Sequence, residues 1–125
     1  MKEEFLNKAK ENLKIAQLSF DNKCYNACAN RAYFSAFHAA IASLADKGFL
    51  PKGRNDHKWV QAEFNEKLIK RQKVYPSKIK AYLMEMQMIR NTADYEYQSV
   101  SKKDASEQIR RADEIFRLTK KEIEQ

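Results

Sequence analysis

Apolar residues recur along most of this chain at spacings of three and four, the period of a helix buried on one side. Phe5, Ala9, Leu13, Ala16 and Phe20 form one such stripe. They predict a helix from about Glu3 to Phe20, interrupted by Asp21 and Asn22. From about Tyr25 to Asp46 the chain is apolar nearly all round, through Tyr33, Phe34, Phe37, Ala39, Ala40, Ile41 and Leu44. That pattern predicts a central helix covered by several neighbours. Gly48 stands where a C-terminal cap belongs, and Leu50-Pro51-Lys52-Gly53-Arg54-Asn55 reads as the longest loop, a basic one. Asn55 or Asp56 is placed to cap a third helix, which runs to about Arg71 with Val60, Phe64 and Leu68 inward. Pro76 suits the first turn of a fourth helix, carrying Ile79, Leu83, Met86, Ile89 and Ala93 and ending near Tyr95. Ser101-Lys102-Lys103-Asp104 has the form of a capping box, with Asp for the usual Glu. It opens a fifth helix that faces Ile109, Ala112, Phe116 and Ile123 inward.

About five helices with short connections predict an all-α fold, an antiparallel up-and-down helical bundle. The chain shows no repeat and no linker, so residues 1–125 are expected to form a single domain. With 2 Gly and 2 Pro it lacks the turn residues that a β-rich domain needs.

Charge changes the picture next. The net charge is +7 and the sequence pI about 9.4, a balance that favours anionic partners, RNA above all, or serves solubility alone. No apolar run approaches the roughly 20 residues of a membrane span, and no apolar core follows Met1-Lys2-Glu3-Glu4, so no membrane role and a cytoplasmic location are expected. Cys24 and Cys28 lie one helical turn apart, where a disulfide has poor geometry, and read as two buried thiols. Two cysteines without histidines at suitable spacing do not make a metal site. No Gly-rich phosphate loop or other cofactor motif is present, so neither metal nor cofactor is expected.

Three groups of residues carry candidate chemistry. Arg31, Ser35 and His38 form a polar line on one face of the apolar second helix. Polar groups there must be paired internally or face something wet, such as a phosphate or nucleotide. Arg90 and Asp94, four apart, are placed to pair along the fourth helix, with Tyr97 two turns beyond Arg90 if the helix extends so far. Met84, Met86 and Met88 alternate, so some face the core and some a partner. His57 opens the third helix and reads as a packing or capping residue. Basic residues cluster at Lys52, Arg54 and Lys58, at Lys67, Lys70, Arg71 and Lys73, and at Lys102, Lys103, Arg110 and Arg111. Tyr75, Tyr95 and Tyr97 are the aromatics placed to stack bases of single-stranded RNA.

Two segments together resemble a known family. Asn30-Arg31-Ala32-Tyr33-Phe34-Ser35-Ala36-Phe37-His38-Ala39-Ala40 resembles the YYAxFHAA helix of HEPN domains, and Arg90-Asn91-Thr92-Ala93-Asp94-Tyr95 the RxxADY segment of a bacterial and archaeal branch. The resemblance covers nearly the whole chain. It implies a helical bundle that dimerises, and either a metal-independent endoribonuclease or a toxin paired with a small nucleotidyltransferase. In such ribonucleases an arginine holds the scissile phosphate, and a histidine that follows after four to six intervening residues helps the 2′-hydroxyl attack. Here Arg90 matches the arginine, while Tyr95 stands at the first position open to the histidine. Tyr97 matches a tyrosine that, in one toxin branch, receives a nucleotide from the partner. An ordinary tyrosine titrates near ~10 and makes a poor base at neutral pH. The expected function is therefore a non-catalytic or weakly catalytic module that binds RNA or nucleotide through Arg90, Arg31, Ser35, His38, Asp94 and Tyr97. It is expected to work beside a nucleotidyltransferase in a toxin–antitoxin pair. An active endoribonuclease, with Arg90 holding phosphate and His38 or Tyr95 in place of the histidine, is the alternative. A plain interaction scaffold is the third.

Overall fold

The computed structural model describes residues 1–49 and 56–125; the expected loop and the cap at Asn55 fall outside them. The described residues form an all-α helical bundle of five helices: α1 (Lys2–Asp21), α2 (Tyr25–Asp46), α3 (His57–Glu63), α4 (Tyr82–Tyr95) and α5 (Lys102–Ile123). α2 lies at the centre and packs against all four others. Its surface explains why. Ala29, Ala32, Ala36, Ala39 and Ala40 are fully buried, and these small side chains let the neighbouring helices approach closely. Ala9 and Ala16 are the matching small, fully buried positions of α1. Tyr33, Phe37, Ile41 and Leu44 fill the remaining space of the core.

The turn between α1 and α2 is closed by the chain itself. The amides of Lys23 and Cys24 donate to Phe20 and Ser19 at 2.9 and 2.8 Å, the paired bonds of a Schellman motif. Lys23 takes the left-handed position at φ 61°, and Cys24 becomes the residue that enters α2. That placement turns Cys24 out to solvent, so only Cys28 is a buried thiol; the expectation of two is corrected. The same motif ends α2, where Gly48 sits at φ +86° and the amides of Gly48 and Phe49 donate to Ala45 and Leu44.

Two helices differ in winding from the expected pattern. α3 continues beyond Glu63 as a π-helical stretch, Phe64–Arg71. Its buried residues are Phe64, Leu68 and Ile69, a spacing of four and five that suits a wider turn. Pro76 does not open α4. It is extended, with ψ 149°, and leads into one 3-10 turn, Ser77–Ala81, before α4 begins at Tyr82. α4 then ends at Tyr95, because Glu96 is extended with ψ 161°. Val100 anchors the segment that follows, its amide donating to Asn26 Oδ1 at 2.8 Å. Tyr97 therefore leaves the helix and is fully exposed, not on Arg90's helical face. Ser101 caps α5 by accepting from the Asp104 amide at 3.0 Å.

Candidate functional site

The middle of α2 and the end of α4 meet at Phe34. The guanidinium carbons of Arg31 and Arg90 each lie 5.2 Å from the centre of its ring. Arg90 also lies 5.9 Å from the Tyr33 ring and 5.6 Å from the Tyr95 ring. The two cations are held apart by one acid. Arg90 Nε donates to Asp94 Oδ2 at 2.9 Å, and Asn30 Nδ2 donates to the same oxygen at 2.8 Å. Asn30 Oδ1 in turn accepts from Arg31 Nε at 2.8 Å. The chain continues through Arg31 Nη1, which donates to Asn12 Oδ1 at 3.1 Å, to the contact of Asn12 Nδ2 with His38 Nδ1 at 3.2 Å. One polar path thus joins Arg90, Asp94, Asn30, Arg31, Asn12 and His38 across α4, α2 and α1.

The path fixes the state of His38. Arginine only donates, so Asn12 must turn its oxygen to Arg31 and its amide to His38. Nδ1 of His38 is then an acceptor, and the ring is neutral with its proton on Nε2. Burial, together with the positive charges of Lys8 and Arg31, holds His38 down to about 4. Arg31 is thus committed to internal partners through all three guanidinium nitrogens, bonding Asn30 and Asn12. Arg90 keeps only its Nε–Asp94 bond among the described residues, and its side chain is 16% exposed. Its Nη groups remain free to donate to an added anion.

Electrostatics favour such an anion. Two guanidiniums converge on one ring with a single carboxylate between them, and Lys8 adds further positive charge near His38. Tyr95 stands at the rim, its ring 74% exposed beside the Arg90 guanidinium. An anionic phosphate on Arg90 would have an open aromatic face next to it.

The remaining expected residues fall elsewhere. Ser35 is fully buried, and its hydroxyl donates to the Ala9 carbonyl at 2.7 Å, tying α2 to α1. Tyr75, expected to offer a face to bases, is 5% exposed, bonded to Ser43 and stacked on Phe64; it belongs to the core. Arg110 and Arg111 are paired with Glu107, Glu114 and Glu85, which neutralises that half of the cluster with Lys102 and Lys103. Lys70, Lys73 and Lys80 instead line an open cleft of about 640 Å³ beside Pro76. Asp56, not His57, caps α3, accepting from the Lys58 and Trp59 amides.

Two residues of the site were not singled out from the sequence, Asn12 and Asn30, and His57 was read only as a packing or capping residue. Asn12 is a half-buried polar residue beside the apolar stripe of α1, which was the available signal. Asn30 precedes Arg31 in the motif, but nothing local shows that it reaches Asp94, 64 residues away. His57 stacks on Phe37 with ring centres 4.3 Å apart, and its Nδ1 lies 2.6 Å from the Tyr33 hydroxyl.

A family model described as HEPN domain matches residues 2–123. A Methanocaldococcus jannaschii protein named "Putative toxin MJ0605" is 46% identical over 44 residues, which are 35% of this chain and 33% of that protein. The chain thus spans about a third of the length of that relative.

Proposed function

The chain belongs to the HEPN domain family, and on that premise we propose that it is a toxin-type module that binds single-stranded RNA through the phosphate at Arg90. It works as a homodimer and beside a small nucleotidyltransferase partner. The observation that carries the reading is the convergence of Arg31 and Arg90 on the Phe34 ring with one carboxylate between them. Guanidinium groups bind phosphate by paired, charge-assisted hydrogen bonds. Tyr95, open at the rim, supplies the stacking face that single-stranded bases seek.

Tyr95 serves here as a platform. The imidazole of His38 points its acceptor nitrogen into the protein, toward Asn12, so it is not the missing base either. The reading is therefore of binding with little cleavage. Tyr97, fully exposed on an extended segment, is sterically open to a modifying partner. The dimer reading rests on α4. Met86 is fully buried, while Met84 and Met88 are 57% and 62% exposed. With Tyr95 they share one outward stripe at helical spacing, and the Tyr95 ring reaches the Arg90 guanidinium.

The test is a mobility-shift titration of purified protein with labelled single-stranded RNA in chelator, with the products then resolved on a denaturing gel. The expected result is a shifted complex holding intact RNA. Robust cleavage in chelator would make the chain a metal-independent endoribonuclease. No shift even at low salt would leave the scaffold reading.

A further inference from the structure

His57 lies outside both sequence motifs, yet the fold brings it to the same rings as Arg90. Its ring is 5.9 Å from Phe34 and 5.5 Å from Tyr33, stacked on the latter at 12°. Phe37 covers it at 4.3 Å. Arg90 lies over the same Phe34 and Tyr33. The two side chains, from α3 and α4, thus share two aromatic supports.

The tautomer of His57 follows from its partners. The Tyr33 hydroxyl, on a fully buried residue, accepts from Gln61 Nε2 at 3.3 Å and meets His57 Nδ1 at 2.6 Å. If Nδ1 carried a proton, Tyr33 would accept twice, and its own O–H would be left buried without an acceptor. A buried donor left without an acceptor forfeits the hydration it had in water and gains nothing in return. Tyr33 therefore donates to Nδ1, and the proton of the neutral ring sits on Nε2. Burial and the nearby positive charge of Arg90 oppose a second proton, with Asp56 acting weakly the other way. Among the described residues nothing bonds Nε2. Tyr33 itself stays protonated, since burial pushes it up to about 12.

From this we infer that His57 completes the Arg90 site as a neutral hydrogen-bond donor, its Nε2–H bonding an oxygen of the phosphodiester or ribose that Arg90 holds. The inference rests on the reading of Arg90 as a phosphate-binding residue. It assigns the imidazole a recognition role and not that of a base, because the nitrogen that faces away from Tyr33 already carries a proton. The ligand class is a ribonucleotide phosphodiester in a single strand, and the residues engaged are Arg90, His57 and the open face of Tyr95.

The test uses the whole chain and a short labelled oligouridylate. Affinity is compared between Tyr33→Phe and Tyr33→Phe with His57→Phe. Both keep the stacked rings, and only the single variant retains an imidazole able to present an N–H to the ligand. The double variant is expected to bind about tenfold more weakly, the loss of one charge-assisted hydrogen bond. Imidazole nitrogen NMR of the unmutated protein provides the second readout. It is expected to show Nδ1 unprotonated at neutral pH and the Nε2–H signal of His57 moving as oligouridylate is added. Equal affinity of the two variants, with Arg90→Ala crippled, would overturn the inference and leave the Arg90 reading standing. Unchanged affinity in Arg90→Ala would remove both. If the double variant fails to fold, an Nε2–H signal that stays fixed at saturating oligouridylate overturns the inference on its own.

Discussion

Phe34 joins more of the site than any charged residue does. Its ring supports Arg31 and Arg90 on cation–π contacts, each worth about 0.5–1 kcal/mol when exposed, and it touches both imidazoles, His38 and His57. The pairing of Arg90 with Asp94 was legible, because four-residue spacing on a helix makes it so. Its setting was not. Spacing does not show that Asn30 of α2 bonds Asp94 or that three rings face Arg90. The line Arg31, Ser35 and His38 was legible as a face, but one face served two purposes: Ser35 fastens α1, while Arg31 and His38 enter the polar path. Sequence spacing cannot separate these, since both partners come from α1. His38 gives a pH prediction. Its folded value is depressed, to about 4 from the ordinary 6.5. Below about 6.5 the unfolded chain takes up a proton that the folded chain refuses, so stability is full above that pH and falls as pH drops toward 4. Because the ring is only partly sealed from water, the loss should be about 1–2 kcal/mol, less than the full shift implies. Denaturant melts across this range should show it, and His38→Gln should flatten the slope. A slope unchanged in His38→Gln would assign the effect elsewhere.

At the scale of elements, helix positions were readable from apolar period alone, and α2's central place followed from its all-round apolarity. The winding was not readable. The shift from α to π after Glu63 depends on how Phe64, Leu68 and Ile69 reach the core, a tertiary demand. The delayed start of α4 has the same origin: Ile79, 1% exposed, is drawn inward by the 3-10 turn. The turn after α1 gives an element-scale prediction. Lys23 holds a left-handed backbone that glycine adopts without strain. Its side chain is exposed. Lys23→Gly should therefore raise stability by about 0.5–1 kcal/mol, read as a higher denaturant midpoint at unchanged slope. A lower midpoint would mean that the lysine side chain contributes more than its backbone costs.

Across the whole molecule the +7 charge is unevenly spent. Arg110 and Arg111 of α5 are paired with neighbouring glutamates, whereas Arg31 and Arg90 share the one carboxylate of Asp94 through Asn30 and Lys70, Lys73 and Lys80 line one open cleft. No helix of the described residues is long and apolar enough to cross a membrane. Met84, Met88 and Tyr95 leave an exposed apolar stripe on α4, which meets the site at Tyr95. Light scattering at micromolar concentration should give the mass of a dimer, and Met88→Glu should shift it to monomer. A parent protein that stays monomeric would remove the dimer reading while leaving the single site intact. RNA affinity should fall steeply with salt as counterions are released, but salt alone does not say which cations are engaged. The measurement that does is an anisotropy titration with single-stranded RNA at fixed salt, comparing the parent, Arg90→Ala and a Lys70→Ala/Lys73→Ala control, each checked for unchanged thermal melting. The account predicts that Arg90→Ala loses binding by about a hundredfold, a charge-assisted bidentate contact's worth, while the lysine control loses far less. Parent-like binding by a folded Arg90→Ala protein would contradict it.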